Sequence, residues 1–319
     1  METALVSCEW LHQEVNSNAG EPLVIVECTW YLPNSPFGPP SESEKGVDSF
    51  QKGPRIPGAV FFDIDKVATI TEDCQPHMLP SEDSFATAMQ SLGIKPMDRI
   101  VIYDRLGIFS APRAWYTIKV AFGHPGPVAV LDGGLPKWTS SGYPLEDGLP
   151  VAATQTSELF KWERNVAASW AIESVFENLE TNRVLMFDAR SSGRFAGTAE
   201  EPRPGSRKGH IPGGKNMPFT ELVTACPGGQ MQPLEELERV LLSRGMPLGE
   251  LRSNAADTAA VMLSCGSGLS ACVIALALDL VGARRERWAL YDGSWCEWGC
   301  RHDTPIMQTS EDGEEVPAP

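Results

Sequence analysis

Apolar runs and polar breaks alternate along this chain, and the pattern recurs with a period near 160 residues, which marks an internal duplication. LVIVECTW (23–30) and RVLMFDARSS (183–192) are apolar runs of strand type that each reach an acidic residue; an unbroken apolar run is how a buried parallel strand reads. RIPGAVFFDID (55–65) and GHIPGGKNMPF (209–219) share an Ile-Pro-Gly turn. RIVIYDRLGIFSAPRAWYTIKVAFG (99–123) and AAVMLSCGSGLSACVIALALDLVG (259–282) each pass from an apolar strand through a loop into an apolar helix. AVLDGGLPKW (129–138) and ALYDGSWCEW (289–298) both set Asp and Trp six apart. Four matches in one order exceed chance. Strands alternating with helices at this spacing predict parallel α/β units, so the fold class is α/β with two similar tandem domains.

The predicted boundaries are a first domain at 1–147, a linker at 148–162 that is polar and Pro/Ala-rich at its start, a second domain at 163–305 and a tail at 306–319. A length of 319 residues suits two domains, each able to bury its own core. Two insertions interrupt the repeat, 33–54 and EEPRPGSRKG (200–209), and both read as loops. The polar end QTSEDGEEVPAP (308–319) is expected to fray. Helix 271–282 is apolar almost all round and is expected to pack deep.

Composition narrows the function. A net charge of −16 argues against sequence-independent nucleic-acid binding, which needs a basic surface, and an anionic substrate would need local arginines. The eight cysteines contain no Cys-x-x-Cys pair and are too sparse for a disulfide scaffold, so reduced thiols in a reducing compartment fit better. No apolar run approaches the ~20 residues of a membrane span, and the acidic start METALVSCEWLHQEV is unlike a signal or transit peptide. The expected compartment is the cytosol, with mitochondrial import as the alternative.

The two copies differ where chemistry would sit. Asp104 follows the strand in the first, and Cys265 follows it in the second. In SCGSGLSACVIAL the cysteine leaves a strand and enters a loop of small residues that feeds a helix. Gly266, Gly268, Ser267 and Ser270 let the backbone curl and aim N–H groups at the sulfur, a nest for an anion. The positive end of the following helix adds to that field, and such settings lower a thiol pKa below its usual ~8.5. A buried structural cysteine is the bland alternative. A phosphatase loop of the form Cys-x5-Arg would need a guanidinium where Ala271 stands, and 265–271 holds no cation. The Gly-x4-Gly-Lys-Ser/Thr phosphate loop is absent. Cys296 and Cys300 stand four apart near His302, but no second ligand pair has metal spacing. Cys272, Trp295 and Trp298 read as core.

Taken together, RIPGAVFFDID, HMLP (77–80), the Asp104 loop, LDGGLPKW, DARSSGRFAGTAEEPRPG, GHIPGG, CGSGLSA and YDGSW resemble the rhodanese and mercaptopyruvate sulfurtransferase family over about residues 5 to 300. The resemblance implies two tandem rhodanese-like domains, each a small parallel sheet flanked by helices, the first without its cysteine. It implies that Cys265 carries sulfane sulfur as a persulfide, with no metal or organic cofactor. Members that prefer thiosulfate have cations after the cysteine, in the pattern Cys-Arg-Lys-Gly; Gly266 and Ser267 are instead similar to the Cys-Gly-Ser-Gly of mercaptopyruvate enzymes. The resemblance puts the donor's carboxylate on Arg194 and Arg203, beside the loop Gly266, Gly268, Leu269, Ser270 and Ala271. It also implies a proton relay of Ser267, His77 and Asp65. Relatives often show Val and Thr where Leu269 and Ser270 stand, a change of pocket shape more than of chemistry. The expected donor is 3-mercaptopyruvate, or thiosulfate as the alternative. The expected acceptor is a thiol, such as that of thioredoxin, or cyanide, with a protein acceptor in a sulfur relay feeding tRNA thiolation or cofactor synthesis as the alternative. Neither nucleic acid nor membrane is an expected partner.

Overall fold

The computed structural model describes residues 3–17, 22–71, 76–254, 259–310 and 312–318. It divides into two compact units, one of Met1–Thr69, Leu79–Asn165 and Val223–Met231, the other of Ile70–Met78, Val166–Leu222 and Gln232–Pro319. Each is built on a five-stranded parallel sheet flanked by helices. The first contains β1 (Leu5–Val6), β2 (Leu23–Glu27), β3 (Val60–Phe61), β4 (Arg99–Tyr103) and β5 (Val128–Leu131) in the order β1-β5-β4-β2-β3. The second contains β6 (Ser169–Trp170), β7 (Leu185–Asp188), β8 (Gly214–Asn216), β9 (Val261–Ser264) and β10 (Trp288–Tyr291) in the order β6-β10-β9-β7-β8. Adding five to every strand of the first order produces the second, so the repeat in the sequence is a repeat of topology.

The middle strands explain the unbroken apolar runs. β4 pairs with β2 and β5 on its two sides, and β9 pairs with β7 and β10. With helices on both faces, such a strand has no wet side to justify polar alternation. Val101 and Tyr103 join Leu11, Ile25, Phe50 and Trp138 in one core; Met262 joins Val175, Met186, Trp295 and Trp298 in the other. Ligands of open α/β sheets gather at the carboxyl ends of the strands. Asp104 follows β4 there and Cys265 follows β9.

Two expectations are corrected. The insertion 33–54 contains a helix, Gly46–Lys52, stopped by Gly53 at φ +84°. It turns Gly46, Ser49 and Phe50 inward, and two turns are too short for a helical period to stand out in the sequence. The tail does not simply fray. β11 (Met307–Thr309) and β12 (Glu315–Pro317) form an antiparallel pair, and Met307 exchanges both backbone hydrogen bonds with His210, at 2.8 and 3.0 Å. His210 also contacts Glu315 Oε1 through Nε2, at 3.1 Å.

Arg55 of the first Ile-Pro-Gly turn is fully buried and donates to the carbonyls of Phe50 and Gly148 while pairing with Glu146. The N–H of Gly58, and after it Arg55, hold the Glu146 carboxyl below its ordinary pKa. Arg55→Ala is expected to cost about 3 kcal/mol in urea unfolding, the lower end for a broken buried pair because Glu146 keeps some solvent. A lowered folded pKa contributes stability that is present above the ordinary carboxylate value and lost as pH falls through the lowered one. The variant should therefore lose less stability than the wild type on acidification; an equal loss would disconnect Arg55 from that carboxylate.

Candidate active site

β9 delivers Cys265 into a loop that enters the helix Ala271–Leu280. Cys265, Ser267, Leu269, Ser270 and Ala271 are all buried, and Gly268 takes a left-handed φ of +72° that a glycine adopts without strain. The turn after β10 clamps the loop from the side. Ser294 Oγ accepts from the Cys265 N–H at 3.2 Å and donates to the Tyr291 carbonyl at 2.8 Å. The N–H groups of Trp295 and Cys296 donate to the carbonyls of Cys265 and Gly266 at 3.0 and 2.8 Å. Cys272 sits in the core and donates its thiol to the Gly268 carbonyl.

Around this loop the structure gathers most of the residues singled out in the sequence. His77 is buried and its Nδ1 lies 2.8 Å from Ser267 Oγ, although 190 positions separate them. Arg194 stands on the short helix Ser192–Ala196, and its Nη2 would lie only 3.1 Å from a Cβ added to Gly266. The absent side chain at 266 is thus the space that the guanidinium uses. Arg203 donates from Nη1 to Cys296 Sγ at 3.3 Å. Asp65 belongs to the first unit, where its Oδ2 accepts from Trp30 Nε1 at 3.1 Å.

Glu201, Arg190 and Ser294 were not anticipated. The Glu201 side chain is only 5 % exposed and accepts from Arg194 through Nη2 at 2.6 Å and from Arg190 through Nη1 at 2.8 Å. Arg190, fully buried, also pairs with Asp188 and lies 4.2 Å over the Trp295 ring. Burial opposes its charge, yet Asp188 and Glu201 hold its pKa above the ordinary value. The run Asp188-Ala-Arg190 at a strand end and the paired glutamates before Pro202 were the available signals. A cavity of about 680 Å³ is lined by Pro76, Glu201, Arg203, Cys296, Cys300 and Arg301, among others; it meets the cysteine loop only through Cys296, whose N–H holds the Gly266 carbonyl.

The first unit shows what such a loop can hold. Asp104 Oδ1 accepts from the N–H of Leu106, and Oδ2 from those of Phe109, Ser110 and Ala111, all within 2.8 to 2.9 Å. The strand-loop-helix turn at the place of Cys265 is an anion nest filled by the chain's own carboxylate. Several other thiols are kept neutral by burial. Burial pushes Cys8 up to about 11 and Cys226 up to about 12, and raises Cys28 well above the ordinary thiol value.

A fold of two such sheets, one bearing a carboxylate and the other a cysteine at the matching strand-to-helix loop, defines a tandem rhodanese. Comparison agrees: residues 12–141 match the model of the rhodanese-like domain. The chain is 36% identical over 321 residues to the mitochondrial thiosulfate/3-mercaptopyruvate sulfurtransferase 1 of Arabidopsis thaliana, covering 95% of this chain and 77% of that protein. Its structure resembles the crystal structure of the 3-mercaptopyruvate sulfotransferase of Escherichia coli, with a TM-score of 0.73 and 32% identity, covering 92% of this chain and 99% of that one. It also resembles the sub-stoichiometric sulfur transferase subunit of yeast mitochondrial complex I, with a TM-score of 0.77 and 33% identity over 95% and 98% of the two chains. The chain belongs to the thiosulfate/3-mercaptopyruvate sulfurtransferase family. Among the described residues no helix is long and apolar enough to cross a membrane.

Proposed function

We propose that this chain takes sulfane sulfur from 3-mercaptopyruvate on Cys265 and passes it to a thiol. The observation that carries the reading is the matching loop. The first unit surrounds the Asp104 carboxylate with four N–H donors; Cys265 stands at the same place after its strand and before its helix, and N–H groups of 266–271 turned on it in the same way would favour an anionic persulfide. The Cys265 thiolate attacks the donor sulfur, the carbon–sulfur bond breaks, and the electron pair leaves on pyruvate as its enolate, which takes a proton. An acceptor thiolate then attacks the outer sulfur, breaks the sulfur–sulfur bond and returns the Cys265 thiolate. Gly266, Gly268, Leu269, Ser270 and Ala271 form the walls and donors of that nest.

Donor choice follows from charge placement. A dianionic thiosulfate wants cations against the outer sulfur, whereas a keto acid is held by a planar fork at its carboxylate. Arg194, aligned by Glu201 over Gly266, and Arg203 at the cavity supply forks. Assays of pyruvate and sulfide release from 3-mercaptopyruvate with a dithiol, beside thiosulfate with cyanide, test this. Preference for mercaptopyruvate supports the reading, and better use of thiosulfate overturns the donor while leaving the nucleophile in place. Acceptors of the class proposed are the dithiol of a thioredoxin or a protein in a sulfur relay. None of the seven described cysteines is in a disulfide, which suits reaction in the cytosol or the mitochondrial matrix; fractionation would separate the two.

Ser267 and His77 form the proton path of the proposal, with Asp65 as its third member. His77→Ala and Ser267→Ala are each expected to lower kcat by about 10²-fold, as for a lost acid–base group, with KM changed little. Asp65→Asn should follow the same pattern. Unchanged kcat in all three would remove the relay.

A further inference from the structure

Cys296 and Cys300 have no part in the proposed cycle, yet both line the cavity that Arg203 also lines. The helix Ser294–Trp298 carries Cys296, and Gly299 continues it with φ −70°, ψ −19° and an N–H that donates to the Trp295 carbonyl. Cys300 therefore stands one turn on, on the same face. Residues four apart in a helix have Cβ atoms about 5–6 Å apart, while a disulfide prefers about 3.5–4.5 Å between them. The bond can close only with some strain, and strained, accessible disulfides are the easily reduced ones. Cys296 has two further contacts of consequence: its Sγ accepts from Arg203, and its N–H holds the Gly266 carbonyl beside Cys265.

We infer that Cys296 and Cys300 are a reversible oxidation site that controls donor binding through Arg203. Cys300 is exposed, while burial, opposed by Arg203, pushes the Cys296 thiol up to about 11. A peroxide thus meets Cys300 first: the peroxide O–O bond breaks, the Cys300 thiol becomes a sulfenic acid, and one water is released. The Cys296 sulfur then attacks the Cys300 sulfur, the S–O bond breaks, and a second water leaves with the Cys296 proton. Two thiols have lost two electrons and two hydrogens to one peroxide. The bond pulls Cys296 Sγ toward Cys300 and away from the Arg203 guanidinium, which loses that contact at the wall of the cavity. A dithiol reductant reverses it by exchange. The effect on binding rests on the donor reading above; the formation of the bond does not.

The test uses the full chain with Cys265→Ser, so that the reactive cysteine is absent. Trypsin cuts after Arg287 and Arg301 and leaves both thiols, and no other cysteine, in one peptide. After mild hydrogen peroxide that peptide should be two hydrogens lighter and refuse alkylation until reduced, and Cys300→Ser should abolish the change. Calorimetric titration with pyruvate as a carboxylate probe should show binding about tenfold weaker after oxidation, the scale of one lost charge-assisted contact, restored by reductant and insensitive to peroxide in Cys300→Ser. Absence of the lighter peptide overturns the thiol pair. A lighter peptide with unchanged pyruvate binding overturns its control of the donor. Failure of the reduced protein to bind pyruvate at all counts against the donor reading instead, and the peptide still decides the pair.

Discussion

Cys265→Ser is expected to lower sulfur transfer from 3-mercaptopyruvate by at least about a thousandfold, the scale seen when a covalent nucleophile is removed. The fold should not change, because serine differs by one atom and the Cys265 backbone is held by Ser294 and Trp295 rather than by its side chain. What is lost is the atom that can accept sulfane sulfur: an alkoxide forms far less readily than a thiolate and gives no persulfide. Burial keeps Cys8, Cys226 and Cys296 protonated, at about 11, 12 and 11. Incubation with the donor, followed by mass spectrometry, should add one sulfur atom to the wild type at Cys265 and none to the variant, while the thermal midpoint stays within a few degrees, as for a near-isosteric change. A variant that retained a tenth of the activity would move the nucleophile elsewhere.

The cysteine was legible because its meaning is local and internally referenced. A strand, a glycine-rich turn and an apolar helix lie within twenty residues, and the chain supplies its own control in the Asp104 copy. The strand order of each sheet was not legible, but its repetition was, since both halves carry the same apolar runs in the same sequence. Other features depend on partners that sequence distance conceals. His77 meets Ser267 from 190 positions away; the family resemblance put the two together, whereas nothing in HMLP itself announces a buried histidine. Glu201 looks like one of two solvated glutamates; its burial follows from Arg190 and Arg194, two arginines that would be costly to bury unpaired. The tail reads as polar and disordered because a two-stranded ribbon stabilised by His210 and Ile306 needs few apolar residues of its own. Cys74 lies outside the described residues.

Gly266→Arg tests the donor argument from the opposite side, and it is expected to cost about 10²-fold in kcat/KM for 3-mercaptopyruvate, the scale of an ångström-sized misplacement. Even a methyl at 266 would sit 3.1 Å from Arg194 Nη2, so an alanine there should already displace the guanidinium by a few tenths of an ångström. Arg194 cannot yield cheaply, since Glu201 accepts from both its Nε and its Nη2. An arginine at 266 adds like charge to the crowding, which is why the thiosulfate-type cation by itself should bring no gain in thiosulfate activity. Combining Gly266→Arg with Arg194→Ala removes the clash and the repulsion together and leaves a cation next to the persulfide sulfur. The pair should therefore shift the ratio of thiosulfate to mercaptopyruvate activity upward relative to either single change. Steady-state rates with both donors decide it. If Gly266→Arg keeps wild-type activity on mercaptopyruvate, the space over residue 266 does not belong to Arg194 during turnover; if the double variant gains nothing on thiosulfate, charge at this loop position is not what separates the two donors.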